Sequence, residues 1–239
     1  ANVRAAAAAG LKEAGAEGKA ATGALIALLG DRDATVRAQA VEALRGMGVA
    51  VVDPLKAGTE SDSPIQRAAA TRVLGGMNAK SAVPRFRELL ADDLESVRLE
   101  AIVALGALGK DAADAAPDLR PILDEGRHDL RIAAFTALDA IGPEGWDAAK
   151  ELMALMKAKD ARIRAFAAEQ LGARGIEESK PHLMASLNDM SHLVRRAAAL
   201  SLVAIAPADP DVRTLLEAAK DNRLLLSPAV AEEALASMR

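Results

Sequence analysis

One helix pattern marked by an arginine returns along the whole chain, and its period decides most of what the chain can fold into. The marker stands at Arg4, Arg37, Arg67, Arg98, Arg131, Arg164 and Arg195, and Pro228 takes the eighth marker position, so copies follow one another every 30 to 33 residues. The clearest copy runs from Asp93 to Gly109. In it Val97, Ala101, Ala104, Leu105 and Leu108 recur at the three- and four-residue steps that line one side of a helix. Asp93 and Ser96 offer oxygens to the free N–H groups at its start, and Gly109 supplies a left-handed stop. Between copies lies a shorter apolar pattern, with Pro84, Pro117 and Pro181 early in three of its occurrences, where a missing N–H is tolerated. From Val51 to Glu60 this second pattern is interrupted by Pro54, Gly58 and Thr59, and a short or distorted element is expected there.

A helix pair of this size, rich in alanine and leucine, cannot bury its apolar stripe alone. Neighbouring pairs must stack and share one core, so the period implies an all-α array of repeats. The hydrophobic fraction is 51% but aromatics make up only 2%, so small side chains fill the interior and helices must approach closely. Thirty basic residues against 34 acidic ones leave a net charge of −4, which argues against a nucleic-acid or anionic-membrane surface. No uncharged apolar run reaches the roughly 18 residues that a membrane-spanning helix needs. The chain has no cysteine, which excludes disulfides and thiolate metal sites.

The pattern Asp…Val-Arg…Ala…Ala-Leu…Leu-Gly, with a proline early in the partner helix, resembles the HEAT-repeat family, including the HEAT-like repeats of phycobilisome lyases. The likeness covers essentially the whole chain. It implies a right-handed α-α superhelix, a HEAT-like α-solenoid. In that family the proline-bearing helix comes first in each repeat and the Val-Arg helix second. Residues 1–15 are then an orphan second helix, followed by about seven helix pairs. We therefore expect 1–239 to be a single repeat domain and a piece of a longer chain, because the orphan helix lacks half its cover. A start at Ala1 with no signal sequence fits such a piece, or a processed soluble chain, cytoplasmic or exported.

Chemistry is hard to find in this sequence. The pairs Asp33/Arg37, Asp93/Arg98 and Asp160/Arg164 read better as structure than as catalytic charges. An aspartate near a helix start satisfies free N–H groups, and an arginine can bridge to the acidic turn of an adjacent repeat. The resemblance implies such a ladder between repeats, continued by Arg131 and Arg195. His128, His182 and His192 lie in different repeats without a metal-ligand motif, so neither a metal nor a cofactor is expected. Glycines gather at helix ends, as in Gly75/Gly76 and Gly106/Gly109, and form no phosphate-cradling loop. Trp146 is expected to pack over a repeat junction.

The face opposite the apolar stripe is where a partner is expected. At about 100° per residue, positions one, five and eight after the marker point away from the core. The early copies place Lys12, Glu42 and Arg45 there. The middle copies place Leu99, Val103 and Gly106, then Ile132, Thr136 and Asp139. Later copies place Ala165, Glu169 and Gly172, then Arg196, Leu200 and Val203. In HEAT proteins this helix lines the concave side. The expected function is thus a non-catalytic scaffold binding a protein or peptide there, through Leu99, Val103, Ile132, Thr136, Arg196 and Leu200. The alternatives are a structural module appended to an enzyme or secreted multidomain protein, and a phycobilin-lyase-like protein. The latter is disfavoured because no catalytic residue can be assigned.

Overall fold

The computed structural model describes residues 2–13, 21–124, 127–221 and 228–238, among which every regular element is helical. They group into two compact units, Ala1–Trp146 and Asp147–Arg239. The first unit opens with α1 (Asn2–Glu13), the orphan helix, and continues in pairs. These are α2 (Thr22–Leu28) with α3 (Ala34–Gly46), and α4 (Val52–Gly58) with α5 (Pro64–Gly76). Then come α6 (Val83–Leu89) with α7 (Glu95–Leu108), and α8 (Ala116–Asp124) with α9 (His128–Ile141). The second unit pairs α10 (Ala148–Leu155) with α11 (Ala161–Ala173), α12 (Lys180–Ser186) with α13 (His192–Ile205), and α14 (Pro210–Asp221) with α15 (Pro228–Ser237).

Each marker arginine sits on the second helix of its pair. In α7 the whole expected stripe is buried, Val97, Ala101, Ala104, Leu105 and Leu108, and Ile102 joins it. A cell of this core is made where Val97 and Ala101 meet Leu89, with Ala68 of α5 and Leu90 packed against them. Removing such apolar surface from water is what holds pair to pair, at roughly 25 cal/mol per Å².

Two local expectations are corrected. The start of α7 is not capped by Asp93 or Ser96: its N-cap is Leu94, without a side-chain cap, and Asp92 accepts the Leu94 N–H at 2.9 Å instead. The element around Pro54 is no worse than its equivalents, because α4, at seven residues, matches α2, α6 and α12. Pro54 falls in its first turn, where no intrahelical donor is lost. Thr59 is buried at its end, and Arg85 of α6 donates to both the Thr59 hydroxyl and carbonyl oxygens, closing the free end of α4.

Second helices stack on one another through positions with almost no side chain. A Cβ added at Gly75 of α5 would lie 2.7 Å from the Ala104 Cβ of α7. One at Gly106 of α7 would lie 3.0 Å from the Ala137 Cα of α9. In the second unit, a Cβ at Gly172 of α11 would lie 2.4 Å from the Ser201 Cβ of α13, whose hydroxyl donates across the contact to the Ala168 carbonyl at 2.9 Å. All three glycines stand eight residues after their marker. Gly172→Ala is expected to destabilise the second unit by about 1–3 kcal/mol through overpacking. Gly10→Ala in α1, where nothing lies within 4 Å, should stabilise the first unit by about 0.5–1 kcal/mol. Urea titrations followed by far-UV circular dichroism distinguish the two; equal effects would contradict the close contact.

Candidate functional site

Two marker arginines, Arg67 and Arg164, use both edges of the guanidinium. Toward the own repeat, Arg37, Arg67, Arg98, Arg164 and Arg195 each donate through Nη1 to two carbonyl oxygens of the preceding turn. Arg37 reaches Asp31 and Arg32 at 2.9 and 3.1 Å, and Arg98 reaches Asp92 and Asp93 at 2.6 and 3.1 Å. Arg164 reaches Ala158 and Lys159, and Arg195 reaches Asp189 and Met190, in the same way. Toward the next repeat, Nε and Nη2 form a fork on a carboxylate: Arg4 on Asp31 (2.7 and 3.1 Å), Arg67 on Asp92 (2.8 and 2.9 Å), and Arg164 on Asp189 (2.8 Å each). Such paired bonds are stronger and more directional than a single contact. Arg131 donates from Nε to the Leu123 carbonyl at the end of α8.

The acids of this ladder are therefore not Asp33, Asp93 and Asp160. Asp33 caps α3 through the Thr35 and Val36 N–H groups, Asp160 caps α11 through the Arg162 N–H, and Asp93 is exposed and contributes its carbonyl to Arg98. The receiving carboxylates Asp31, Asp92 and Asp189 each stand six residues before the next marker. Each also accepts a backbone N–H two residues on, from Asp33, Leu94 and Ser191, which fixes the turn. The Arg4 fork, helped by the Asp33 N–H, pushes the Asp31 carboxyl down to about 2. Arg67 and Arg164 hold Asp92 and Asp189 below the usual carboxylate range.

On the second-helix face of the first unit, position five is exposed in each copy from α3 to α9. Val103 is 53% exposed, and Glu42, Arg72 and Thr136 at the same register are exposed too. Leu99 and Ile132 at position one are half-buried. Position eight is divided: Arg45 is exposed, Gly106 lies against α9, and Asp139 accepts the Trp146 indole N–H at 3.2 Å. The second unit repeats the lesson, with Ala165, Gly172 and Val203 buried, Leu200 half-buried, and Glu169 and Arg196 exposed. The Lys12 side chain lies outside the described residues.

Across α3, α5 and α7 this face carries charge beside apolar surface. Arg72 of α5 is paired with Glu100 of α7, and Arg45 of α3 lies 3.8 Å from Glu42. Trp146 packs at the end of the first unit, its ring 5.6 Å from that of Phe135, with the Arg120 guanidinium 5.4 Å from the indole centroid. His128 contacts Asp129 at 2.9 Å, while His182 and His192 are exposed. Among the described residues no group of three His, Asp or Glu converges as metal ligands would, and no helix is long and apolar enough to cross a membrane.

Because the ladder carboxyls have depressed pKa values in the folded state, their contribution is present above the unfolded aspartate value of about 3.9 and is lost as pH falls through the folded values. Asp189→Asn should lower the stability of the second unit by about 1–2 kcal/mol at neutral pH. It should also flatten the fall in stability between about pH 5 and pH 2. Urea midpoints measured across that range test both statements, and a pH profile parallel to that of the wild type would contradict them.

The family model of HEAT repeats matches three overlapping stretches, residues 52–139, 116–203 and 149–236. No curated protein matches the chain. Similar solved structures include the complex of CpcE and CpcF of phycocyanin lyase from Nostoc sp. PCC7120, at 23% identity over 91% of this chain and 89% of that one, with a TM-score of 0.47. Human deoxyhypusine hydroxylase in complex with glycerol matches at 24% identity over 91% and 95%, with a TM-score of 0.41. YibA of E. coli matches at 17% identity over 90% of each chain, with a TM-score of 0.48. None of these likenesses carries an activity over to this chain. The three family matches together run from residue 52 to residue 236, over most of the sequence, and the chain belongs to the HEAT-repeat family.

Proposed function

We propose that this chain is a non-catalytic scaffold that binds a protein or peptide on the second-helix face of its first unit. The supporting observation is Val103, an apolar side chain more than half exposed in mid-helix, where Glu42, Arg72 and Thr136 stand in the neighbouring copies. Leu99 lies one turn before it on α7, and Ile132 holds the equivalent place on α9. Half-buried side chains of this kind still have apolar area to give up. Full burial of one is worth about 1.5–3 kcal/mol, so a few suffice for a useful contact. Arg196 and Leu200 offer the corresponding positions on α13 of the second unit and form a separate candidate surface.

The double variant Leu99→Asp plus Ile132→Asp tests the reading, with Val103→Asp as the variant at the more exposed site. Capture of a partner from source extract, and self-association by sedimentation, are compared with the wild type. Binding should fall by at least about tenfold, the equivalent of 1.4 kcal/mol, with helical content unchanged. Undiminished binding by a folded Val103→Asp protein would overturn the proposal.

A further inference from the structure

A cavity of about 210 Å³ opens where α3, α5 and α7 meet, lined among others by Arg45, Arg72, Gly76, Glu100, Val103 and Ala107. Arg45 holds in α3 the position that Gly75 holds in α5 and Gly106 in α7. Those glycines lie against the next second helix; α3 and α5 meet at few points, while α5, α7 and α9 run along one another. The arginine instead stretches over α5 at Gly76, where an added Cβ would fall 2.8 Å from its Nη2. Gly76 thus leaves the room in which the Arg45 guanidinium lies.

Of the charged side chains lining this cavity, Arg45 and Arg72 are cations and Glu100 is the anion. Arg72 and Glu100 satisfy each other across α5 and α7. The ion pair of Arg45 with Glu42 is long, at 3.8 Å, and both side chains are about half exposed (42% and 54%), so solvent screens it. A cation is left at one edge of a small cavity whose other edge is the apolar surface of Val103, Ala104 and Ala107. Because both edges line one cavity of about 210 Å³, a ligand complementary to that arrangement carries a carboxylate and an aliphatic side chain close together. A C-terminal aliphatic residue of a peptide has that geometry.

We infer that the α3–α5–α7 cavity binds the C-terminal aliphatic residue of a partner peptide, its side chain on Val103 and Ala107 and its carboxylate on Arg45. This deepens the scaffold reading above and rests on it. The Arg72–Glu100 pair is the fixed polar wall, and a carboxylate on Arg45 replaces the weak contact with Glu42.

N-acetyl-leucine, which carries both features, is the probe, with N-acetyl-leucinamide and acetate as its two halves. Each is titrated into isotope-labelled protein while the Val103 and Ala107 methyl signals and the Arg45 Nε–H signal are followed by NMR. N-acetyl-leucine should produce saturable shifts at all three. Binding of the amide, of acetate, and of N-acetyl-leucine to Arg45→Gln should each be weaker by at least about fivefold. Equal binding of acid and amide, shifts confined to other residues, or no saturation at tens of millimolar would each overturn the inference. If the probe fails while Val103→Asp still abolishes partner binding, the ligand chemistry is wrong and the scaffold reading stands. If the probe binds as stated while partner binding ignores Val103→Asp, the pocket stands and the scaffold reading falls.

Discussion

The close approach of one second helix to the next is the constraint on which the remaining structure depends. With aromatics at 2% of the chain, few side chains are large enough to fill a wide gap, and the interior has to be thin. Gly75 against Ala104, Gly106 against Ala137 and Gly172 against Ser201 make it thin by bringing backbone to side chain or backbone to backbone. A glycine inside a helix costs about 0.5–1 kcal/mol relative to alanine, so three of them at one register need a packing reason. The dispersion and burial gained along the whole length of the paired helices supply it.

The arginine forks add direction to this otherwise greasy contact. Apolar helices can slide by a turn at modest cost, whereas a bidentate guanidinium–carboxylate pair accepts one register. Arg67 grips the Ser61 and Asp62 carbonyls of its own repeat and the Asp92 carboxylate of the next, so one side chain reads the shape of two turns at once. The depressed pKa of Asp31, Asp92 and Asp189 is the electrostatic trace of the same arrangement.

Much of the fold was legible because the 30–33-residue period and the α7 stripe are properties of the backbone helix itself. The ladder arginines were legible for the same reason. Their acidic partners were not, since two aspartates stand close together at the first turn, Asp31 with Asp33, and capping chemistry alone does not say which one reaches outward. The usable signal was the shared spacing of Asp31, Asp92 and Asp189 six residues before the marker. The face assignment failed at Gly106, Gly172 and Val203, though not at Arg45, for a related reason: a helical wheel knows one core, while a stacked helix has a neighbour on either side. Gly106 and Gly172 already carried that information, as residues costly anywhere except at a close contact. Val103 at position five is exposed as the wheel implies, whereas Leu200 at the same position of α13 is half-buried.

The junction between α3 and α5 departs from its fellows in two ways at once. Ser61 stands where Asp31, Asp92 and Asp189 stand elsewhere, and a hydroxyl cannot receive a guanidinium fork; Arg45 stands where α5, α7 and α11 have Gly75, Gly106 and Gly172. In a nearest-neighbour array the weakest joint sets where cooperativity breaks, and within the first unit α3 and α5 meet at fewer points than α5 and α7 do. A guest molecule gripping Arg45 from one side and Val103 from the other would act as mortar in that seam, and occupancy would be felt as stiffness far from the point of contact.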